Sequence, residues 1–499
     1  MLHTLIPSRS TACIALVFLL AGKDVKAEGD HPAPVKEPWF GIHVVDEHTG
    51  RGVPLIELRT VNDIRFVTDN AGWIAFLEPG LMNREVWFTI SGPGYGKEKD
   101  GFGNAGARAT PVAGGTTTIK LHRTNIAERV GRSTGQGMYR DSELLGLPVP
   151  VPNLSAGVMG QDSARVSPYH DRLFWLWGDT NVPQYPLGTF HTTAATTPLD
   201  IDPRQGIKYE YLMDPADPGK ARQMFPRNKP GAIWLHGLFT VTDEAGKEVL
   251  LAQWSRHQEL SKVDEQGIAR FNDERGVFES AVDIDVKETW RLPIGNAVKL
   301  TFAEGSFVYF AEPFCHTRVK ATLKDALNPA SYEALRYDTV ATKWLWQRDL
   351  APTTQEDEAV MLRKGLMPRK DARYVFADVG TGKHVRLHAG GIQPIEGGKF
   401  ILIGEQIGNK GDPSAFGEVW FAEARSIGGP WDKAVKVATH PGYSFYNPVL
   451  HTSLAGGIYF EGTYSVTFSG NPFPQMRYDY NQLLYRLDLG DERLKDVLK

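Results

Sequence analysis

Five blocks of strand-like sequence between residues 155 and 490 restrict the fold of this chain more than any other feature. Each block has a first strand, a turn and a very apolar second strand that ends in a polar residue. A more polar third strand follows, for example at Val419–Ala424. Apolar second strands of this kind are expected to be buried on both faces. The blocks therefore predict an all-β, five-bladed β-propeller, with a large β-sandwich or a β-helix as the alternative.

The first and second strands of each block can be placed on the sequence. They are predicted at residues 160–168 and 172–180, 231–237 and 249–254, 297–302 and 307–310, 384–391 and 400–405, and 447–451 and 457–464. Their spacing along the chain is uneven, so the blocks share a strand plan but not a short repeat. Four second strands end at or near an acidic residue: Asp179, Glu312, Glu405 and Glu461.

The opening hairpin carries one aspartate on each strand. Asp162 lies near the start of the first strand and Asp179 at the end of the second, with a turn at residues 169–171. In an antiparallel hairpin, the start of one strand lies beside the end of the next. The two carboxylates are therefore expected at the same edge of the sheet, which makes this edge a candidate site.

The segment before the propeller is predicted to be a small β-sandwich. Residues 38–122 alternate short strand-like runs with turns, as such sandwiches do. Residues 46–54 together with residues 68–72 resemble the carboxypeptidase-regulatory or transthyretin-like sandwich, which implies an accessory module. Residues 123–154 are predicted to be a connector, in which Asn125 caps a short helix at residues 126–130.

The first 27 residues are typical of a secretory signal. Arg9 precedes a short apolar run at residues 11–22, and small or aliphatic residues allow cleavage after Ala27. We therefore expect a secreted or periplasmic protein that has no membrane segment after cleavage, with an uncleaved anchor as the alternative. Only Cys315 remains in the mature chain, where it is expected to be buried. The net charge of −4 argues against nucleic acid as the main partner.

The propeller region resembles a known class of enzymes. Residues 417–424 with residues 429–431 are similar to the third strand and turn of five-bladed glycoside hydrolases that act on furanosides. The hairpin with Asp162 and residues 177–180 resembles the propeller family that includes bacterial endo-D-arabinanases. The resemblance covers residues 155–490, and it implies a polysaccharide or oligosaccharide substrate.

Such a hydrolase needs two carboxyl groups, one protonated and one ionised. We predict Asp162 as the base or nucleophile and Asp179 as the first choice for the general acid. Glu405 is the other candidate acid, because the apolar residues 401–403 before it would raise its pKa. Structural roles are the alternatives: a turn cap for Asp179, a backbone contact for Asp162, and an ion pair with Arg318 or Arg386 for Glu405.

Further polar and aromatic residues are predicted to contact the substrate. They are His236, His388, Glu279, Asp283, Trp177, Arg318 and Asn447. For the two histidines a satisfied polar role is the alternative, and for the two acids a surface loop. The sequence contains no tight Asp cluster, so no metal or other cofactor is predicted, although a central cation stays open. A non-catalytic propeller that binds glycans or a protein partner is the alternative function.

Overall fold

The computed structural model describes residues 38–151, 156–189, 191–409 and 412–498. The predicted signal at residues 1–27 lies outside the described residues. Within the described part, most regular structure is β-strand, and no helix there is long and apolar enough to cross a membrane.

Two four-stranded sheets open the described chain. Their strands are β1 (Phe40–Asp46), β2 (Glu57–Arg59), β3 (Arg65–Val67), β4 (Trp73–Phe76), β5 (Val86–Ser91), β6 (Tyr95–Gly96), β7 (Gly106–Ala109) and β8 (Thr116–Arg123). One sheet has the order β4-β1-β8-β6 and the other β3-β2-β5-β7. Ile42 and Ile119 of the first sheet meet Leu58 and Phe88 of the second, and all four are at most 5% exposed. The two sheets therefore pack face to face as a β-sandwich.

The chain then enters the propeller. Strand β9 (Glu128–Arg132) and helix α1 (Arg140–Leu144) come first. The next strands are β10 (Gly160–Gln161), β11 (Arg165–Tyr169), β12 (Arg172–Trp177), β13 (Thr180–Val182), β14 (Tyr185–Thr189), β15 (Thr193–Pro198), β16 (Glu210–Tyr211), β17 (Met213–Asp214) and β18 (Asp217–Ala221). Blade I is the sheet β11-β12-β15-β16, and β10-β13-β14 form a smaller sheet beside it.

Blades II and III follow directly. Blade II contains β19 (Ala232–Thr242), β20 (Glu248–His257), β21 (Glu265–Asn272) and β22 (Val277–Ile284) in sequential order. Blade III contains β23 (Asn296–Phe302), β24 (Gly305–Ala311), β25 (Cys315–Lys320), β26 (Glu333–Asp338) and β27 (Lys343–Gln347), with helix α2 (Leu323–Ala326) between β25 and β26. Cys315 is fully buried in this blade, as the sequence predicted.

Blades IV and V complete the ring. After helix α3 (Gln355–Arg363), blade IV contains β28 (Ala377–Asp378), β29 (Leu387–Ile395), β30 (Lys399–Gln406), β31 (Val419–Ala424) and β32 (Lys433–Ala438). Blade V contains β33 (Ser444–His451), β34 (Ile458–Ser465) and β35 (Asn481–Leu487). The innermost strands β11, β19, β23, β29 and β33 contact one another in this order. The predicted five-bladed propeller preceded by a β-sandwich is thereby confirmed.

The strand that completes blade V comes from the start of the propeller. β9 pairs antiparallel with β35, and Arg132 lies opposite Leu483. Because β9 occupies residues 128–132, the helix predicted at residues 126–130 is wrong. The backbone groups of this segment find partners in a strand that lies far along the chain, which a local pattern does not reveal. β9 thus ties the last blade to the chain that leads into the first.

The sandwich is fixed to the propeller through a buried arginine. The guanidinium of Arg129, which is 1% exposed, donates to Pro54 O at 2.8 and 3.0 Å and to Leu55 O at 3.2 Å. Three carbonyl contacts satisfy donors that would otherwise be costly to bury. Tyr478, from the loop between β34 and β35, adds a second link to the same part of the sandwich.

The first hairpin of the propeller has the predicted turn and burial. His170 and Asp171 both have positive φ angles, 48° and 58°, which the two-residue type I′ turn requires. Residues 173–177 of β12 are at most 3% exposed. The hydrophobic second strand is therefore buried on both faces. Its side chains pack against blade II on one face and blade V on the other.

Candidate active site

A cavity of about 810 Å³ opens where blades I, II, IV and V meet. Five of the residues predicted from the sequence line it: Asp162, Asp179, His236, His388 and Asn447. These residues come from four different blades, so the tertiary fold brings together side chains that are widely separated along the chain.

The two aspartates lie side by side at a break in the first hairpin. Asp162 follows β10 and precedes β11, and Asp179 lies between β12 and β13. The backbone N–H of Asp162 donates to Asp179 O at 3.2 Å, and the N–H of Gly178 donates to Asp162 O at 2.8 Å. The register of the hairpin thus places Asp162 and Asp179 next to each other, as the sequence predicted. At this point the two segments of the hairpin leave blade I and become strands β10 and β13 of the small sheet β10-β13-β14.

Asp162 is surrounded by groups that favour its ionised form. Tyr446 OH donates to Asp162 Oδ2 at 3.1 Å, and Tyr480 also hydrogen-bonds this carboxylate. Burial raises the pKa of Asp162 to about 6, whereas the two tyrosine hydrogen bonds and the charge of Arg165 act in the opposite direction. Asp162 is therefore a carboxyl group that can be ionised near neutral pH.

Asp179 has fewer partners and is 7% exposed. Its Oδ1 accepts a hydrogen bond from Trp234 Nε1 at 2.8 Å. Burial, followed by the negative charge of Asp162, raises the pKa of Asp179 to about 7, and the indole contact lowers it. Of the two carboxyls, Asp179 thus keeps its proton to higher pH. Because the groups interact, the two titrations belong to the pair.

Glu405 lies beneath the cavity surface and is fully buried. Its Oε2 accepts from the backbone N–H of Asn447 at 3.0 Å, and its Oε1 lies 3.7 Å from His388 Nδ1. Burial raises the pKa of Glu405 well above its usual range, and the negative charge of Glu312 adds to this effect. The sequence predicted the raised pKa correctly. However, a carboxyl group with no exposed surface cannot contact a substrate directly. The prediction of Glu405 as a general acid is therefore corrected.

The innermost strands of three blades lose their regular register beside the cavity. The irregularities fall between His236 and Phe239, between Leu387 and Gly390, and between Tyr446 and Val449. His236, His388 and Asn447 lie in or at the edge of these irregular segments. Bulges commonly redirect side chains next to functional sites. Here they accompany the polar side chains that β19, β29 and β33 contribute to the cavity lining.

The polar groups around the aspartates are connected. Asn447 Nδ2 donates to Ser163 Oγ at 2.8 Å, which joins blade V to the residue after Asp162. Burial, together with the charges of Arg165 and His257, lowers the pKa of His236 to about 3. His236 is therefore a neutral hydrogen-bonding group at neutral pH.

Four predicted substrate contacts lie elsewhere. Trp177 is fully buried and stacks on Trp175 with ring centroids 6.2 Å apart, so it belongs to the core between blades I and V. Arg318 is part of β25, where its Nε donates to Glu333 at 2.8 Å and its guanidinium lies over the rings of Phe307 and Trp346. These two predictions are corrected because both side chains are already fully engaged in packing.

Glu279 and Asp283 belong to β22, the outermost strand of blade II. Glu279 forms an ion pair with Arg275 and accepts from Asn272 Nδ2 at 3.0 Å. Asp283 is 71% exposed at its side chain and accepts from Ser280 Oγ at 2.6 Å. Outer strands lie at the rim of a propeller, away from its centre, which corrects the prediction for this pair and favours the surface alternative.

Several residues of the site were not predicted from the sequence. Trp234 lies two residues before His236, and strand alternation would have placed both on one face. Tyr446 and Phe468 carry no such signal, because a bulge follows the first and a loop contains the second. Tyr480, just before β35, has a positive φ of 57°, which the sequence pattern does not indicate.

Within the described ranges, no group of three or more His, Cys, Asp or Glu side chains is arranged to hold a metal ion. Carboxyl, imidazole, phenol and amide groups line the cavity. Fold and site together define a five-bladed β-propeller with a paired-carboxyl cavity.

Comparison with known proteins gives similarity of fold only. No protein-family model and no curated protein matches this sequence. A candidate hydrolase of Bacteroides ovatus ATCC 8483 is 12% identical, with a TM-score of 0.44 over 67% of this chain and 86% of that chain. An exo-1,5-α-L-arabinanase from a bovine ruminal metagenomic library is 10% identical, with a TM-score of 0.34 over 67% and 94%. An endo-arabinase of Bacteroides thetaiotaomicron VPI-5482 is 11% identical, with a TM-score of 0.34 over 68% and 98%.

Proposed function

We propose that this protein is a carbohydrate-active enzyme that hydrolyses glycosidic bonds with Asp162 and Asp179. The observation that carries the proposal is the adjacency of two carboxyl groups whose pKa values are raised to about 6 and 7 by burial. In the described part of the chain, no Lys or Arg nitrogen lies within 4.0 Å of either carboxylate. An unpaired, partly desolvated pair of this kind favours acid–base chemistry over a structural role.

The different environments support different roles for the two groups. Asp179, with the higher pKa, acts as the general acid and donates its proton to the leaving glycosidic oxygen as the bond to the anomeric carbon breaks. Asp162, whose ionised form is stabilised by hydrogen bonds from Tyr446 and Tyr480, acts on the anomeric centre. It either takes a proton from the attacking water or itself forms the new bond, which water then breaks. The first route inverts and the second retains the configuration at the anomeric carbon.

The setting of this activity is part of the same proposal. The signal-like sequence at residues 1–27 supports a secreted or periplasmic enzyme, and the β-sandwich serves as an accessory module. The substrate is then a glycoside that the enzyme meets outside the cytoplasm.

A hydrolysis assay on a panel of glycans tests the proposal. Wild type is compared with Asp162→Asn and Asp179→Asn, and Asp283→Asn serves as the matched control because Asp283 is an exposed acid on the outer strand of blade II. We expect each site variant to lose activity by about 10²–10⁴-fold. Full activity in both site variants contradicts the assignment. Binding without turnover of any glycan by wild type favours the non-catalytic glycan-binding propeller instead.

A further inference from the structure

The mouth of the cavity is lined by exposed apolar side chains. Leu260 and Val263, in the loop between β20 and β21, are 66% and 36% exposed. Phe468, in the loop between β34 and β35, is 62% exposed. Single exposed apolar residues are common, but several on the rim of one cavity form a patch that a ligand can bury.

One wall of the cavity is a continuous series of rings. The centroids of His388 and Phe416 are 4.8 Å apart, those of Phe416 and Phe468 are 5.9 Å apart, and those of Phe468 and Tyr446 are 5.6 Å apart. Tyr446 then donates its hydroxyl hydrogen to Asp162. An aromatic surface therefore runs from the solvent-exposed mouth to the reacting carboxylates.

Ser255 and Thr467, which line the cavity, are hydrogen-bonded to neighbouring side chains. Ser255 Oγ lies 2.9 Å from His257 Nε2, and Ser465 Oγ donates to Thr467 Oγ1 at 2.9 Å. A sugar ring needs hydrogen-bonding partners for each hydroxyl that it buries. Such partners are concentrated deeper in the cavity, at the aspartates, His236, Gln253 and Asn447. Polar side chains thus gather around the aspartates, whereas the exposed apolar side chains lie on the loops at the mouth.

We infer that the substrate is a glycoside whose group next to the scissile bond is apolar, such as an alkyl or aryl aglycone. The sugar binds beside Asp162 and Asp179, and the apolar group lies between Leu260 and Val263 on one side and the rings of Phe416 and Phe468 on the other. The inference rests on the proposed function for the reaction at the carboxylates. The binding of the apolar group itself does not require turnover.

Matched ligand pairs test this preference. Isothermal titration calorimetry compares n-octyl with methyl glycosides of D-glucose, D-galactose, D-xylose and L-arabinose, all below the micelle concentration of the octyl compounds. Both members of a pair carry the same sugar, so the ratio of their dissociation constants reports the apolar group. We expect the octyl compound to bind at least tenfold more tightly in at least one pair. Equal affinity in every pair, or no binding of any octyl glycoside, overturns the inference.

Substitutions locate the effect. Leu260→Ser and Phe468→Ser are each expected to reduce the octyl-to-methyl ratio to less than threefold. Val340→Ser and Phe102→Ser remove apolar side chains that are 93% and 94% exposed outside the cavity, and they should leave the ratio unchanged. An equal reduction in all four variants would indicate general loss of fold, and an unchanged ratio in Leu260→Ser and Phe468→Ser would place the octyl chain elsewhere. Either result contradicts the inference.

Two further outcomes separate this inference from the proposed function and from membrane binding. If the protein hydrolyses glycans but shows no preference for octyl glycosides, the proposed function stands and the apolar site is rejected. If it prefers octyl glycosides but hydrolyses no glycan, the apolar site stands and the proposed function is rejected. Phosphatidylcholine vesicles serve as the membrane probe in a sedimentation assay. If vesicles bind the protein and Phe468→Ser abolishes this, while all octyl and methyl pairs bind equally, the mouth is a lipid-surface contact and the inference is wrong.

Discussion

The carboxylate of Asp162 occupies the space in which a side chain at position 178 would begin: a β-carbon built on Gly178 would lie 2.2 Å from Asp162 Oδ1. Two non-bonded atoms cannot approach so closely, so any residue other than glycine at position 178 displaces the carboxylate. We expect Gly178→Ala to lower kcat by about tenfold to a hundredfold, because a shift of 1 Å at a reacting group has effects of this size. Steady-state kinetics on a hydrolysed glycan measures the loss.

Gly380→Ala is the control for this variant. A β-carbon on Gly380 would lie 3.6 Å from Asp378 Oδ1, which is an ordinary contact beside a surface aspartate. We expect wild-type kcat from this variant. The same kcat in Gly178→Ala would show that the position of the Asp162 carboxylate does not matter for the reaction.

The pH profile of kcat/KM should be bell-shaped. Activity requires ionised Asp162, so it rises as pH passes the lower pKa of the pair, at about 6. It also requires protonated Asp179, so it falls as pH passes the upper value, at about 7. The optimum is therefore narrow and lies between these values.

Tyr446→Phe should move the acidic limb of that profile. The phenol hydrogen bond stabilises ionised Asp162, so its loss raises the pKa of Asp162 and shifts the limb upward by about 1 pH unit. Tyr185→Phe, at a tyrosine that is 66% exposed, is the control and should leave the profile in place. An unmoved acidic limb in Tyr446→Phe would remove Asp162 from the role of the ionised group.

Glu405→Gln should change how stability depends on pH. The pKa of Glu405 is raised in the folded state, so ionisation is easier in the unfolded chain. The contribution of Glu405 to the free energy of unfolding is fully present below its pKa in the unfolded chain. It is lost as the pH rises through its pKa in the folded protein. Glutamine removes that loss and can still accept from Asn447 N–H. Urea unfolding at pH 5 and pH 8 should therefore show a gain for the variant at pH 8 of roughly 1.4 kcal/mol per unit of pKa shift.

The matched control is Glu356→Gln, at an acid whose side chain is 66% exposed beside Arg386. It should show nearly the same stability difference at both pH values. A stability change in Glu405→Gln that does not grow between pH 5 and pH 8 would mean that Glu405 is ionised in the folded protein.

The sandwich should support the loop that forms one wall of the cavity. Tyr478 OH donates to Thr68 O at 2.9 Å and accepts from Leu55 N at 3.1 Å, and the same loop carries Phe468 and Tyr480. Tyr478→Phe leaves two buried backbone groups of the sandwich without this partner, which costs about 1–3 kcal/mol. We expect faster hydrogen exchange in residues 466–480 and a higher KM.

Tyr332→Phe controls for the loss of a buried tyrosine hydrogen bond. Tyr332 OH donates to Ala326 O at 3.0 Å in blade III, away from the cavity. It should lower stability by a similar amount and leave both hydrogen exchange at residues 466–480 and KM unchanged. The same exchange pattern in both variants would show that the sandwich does not hold this loop.

Local patterns predicted much of the fold. Apolar second strands such as β12 and β30 are recognisable because burial on both faces demands a continuous apolar run. The adjacency of Asp162 and Asp179 was also predictable, since a tight turn at His170 and Asp171 sets the register between them. Each of these inferences needs only residues within one hairpin.

Apart from Trp234, the wrong or missing predictions concern partners that are distant in sequence. β9 was mistaken for a helix because its pairing strand, β35, is at the other end of the propeller. Trp177 and Glu279 have residue types typical of sugar sites, but whether they face a core, a rim or a cavity depends on neighbouring strands and blades. Tyr446 and Tyr480 reach Asp162 only because blade V closes against blade I.

The sequence by itself thus determined the apolar second strands, the number of blades and the pairing of two aspartates, because these follow from periodicity and from contacts within a hairpin. Only the tertiary structure decided which carboxyl has tyrosine donors, which is desolvated and which is fully buried. Those properties depend on groups that different blades bring together across the ring, and a pKa responds to the local dielectric and charges in space, whatever their order along the chain.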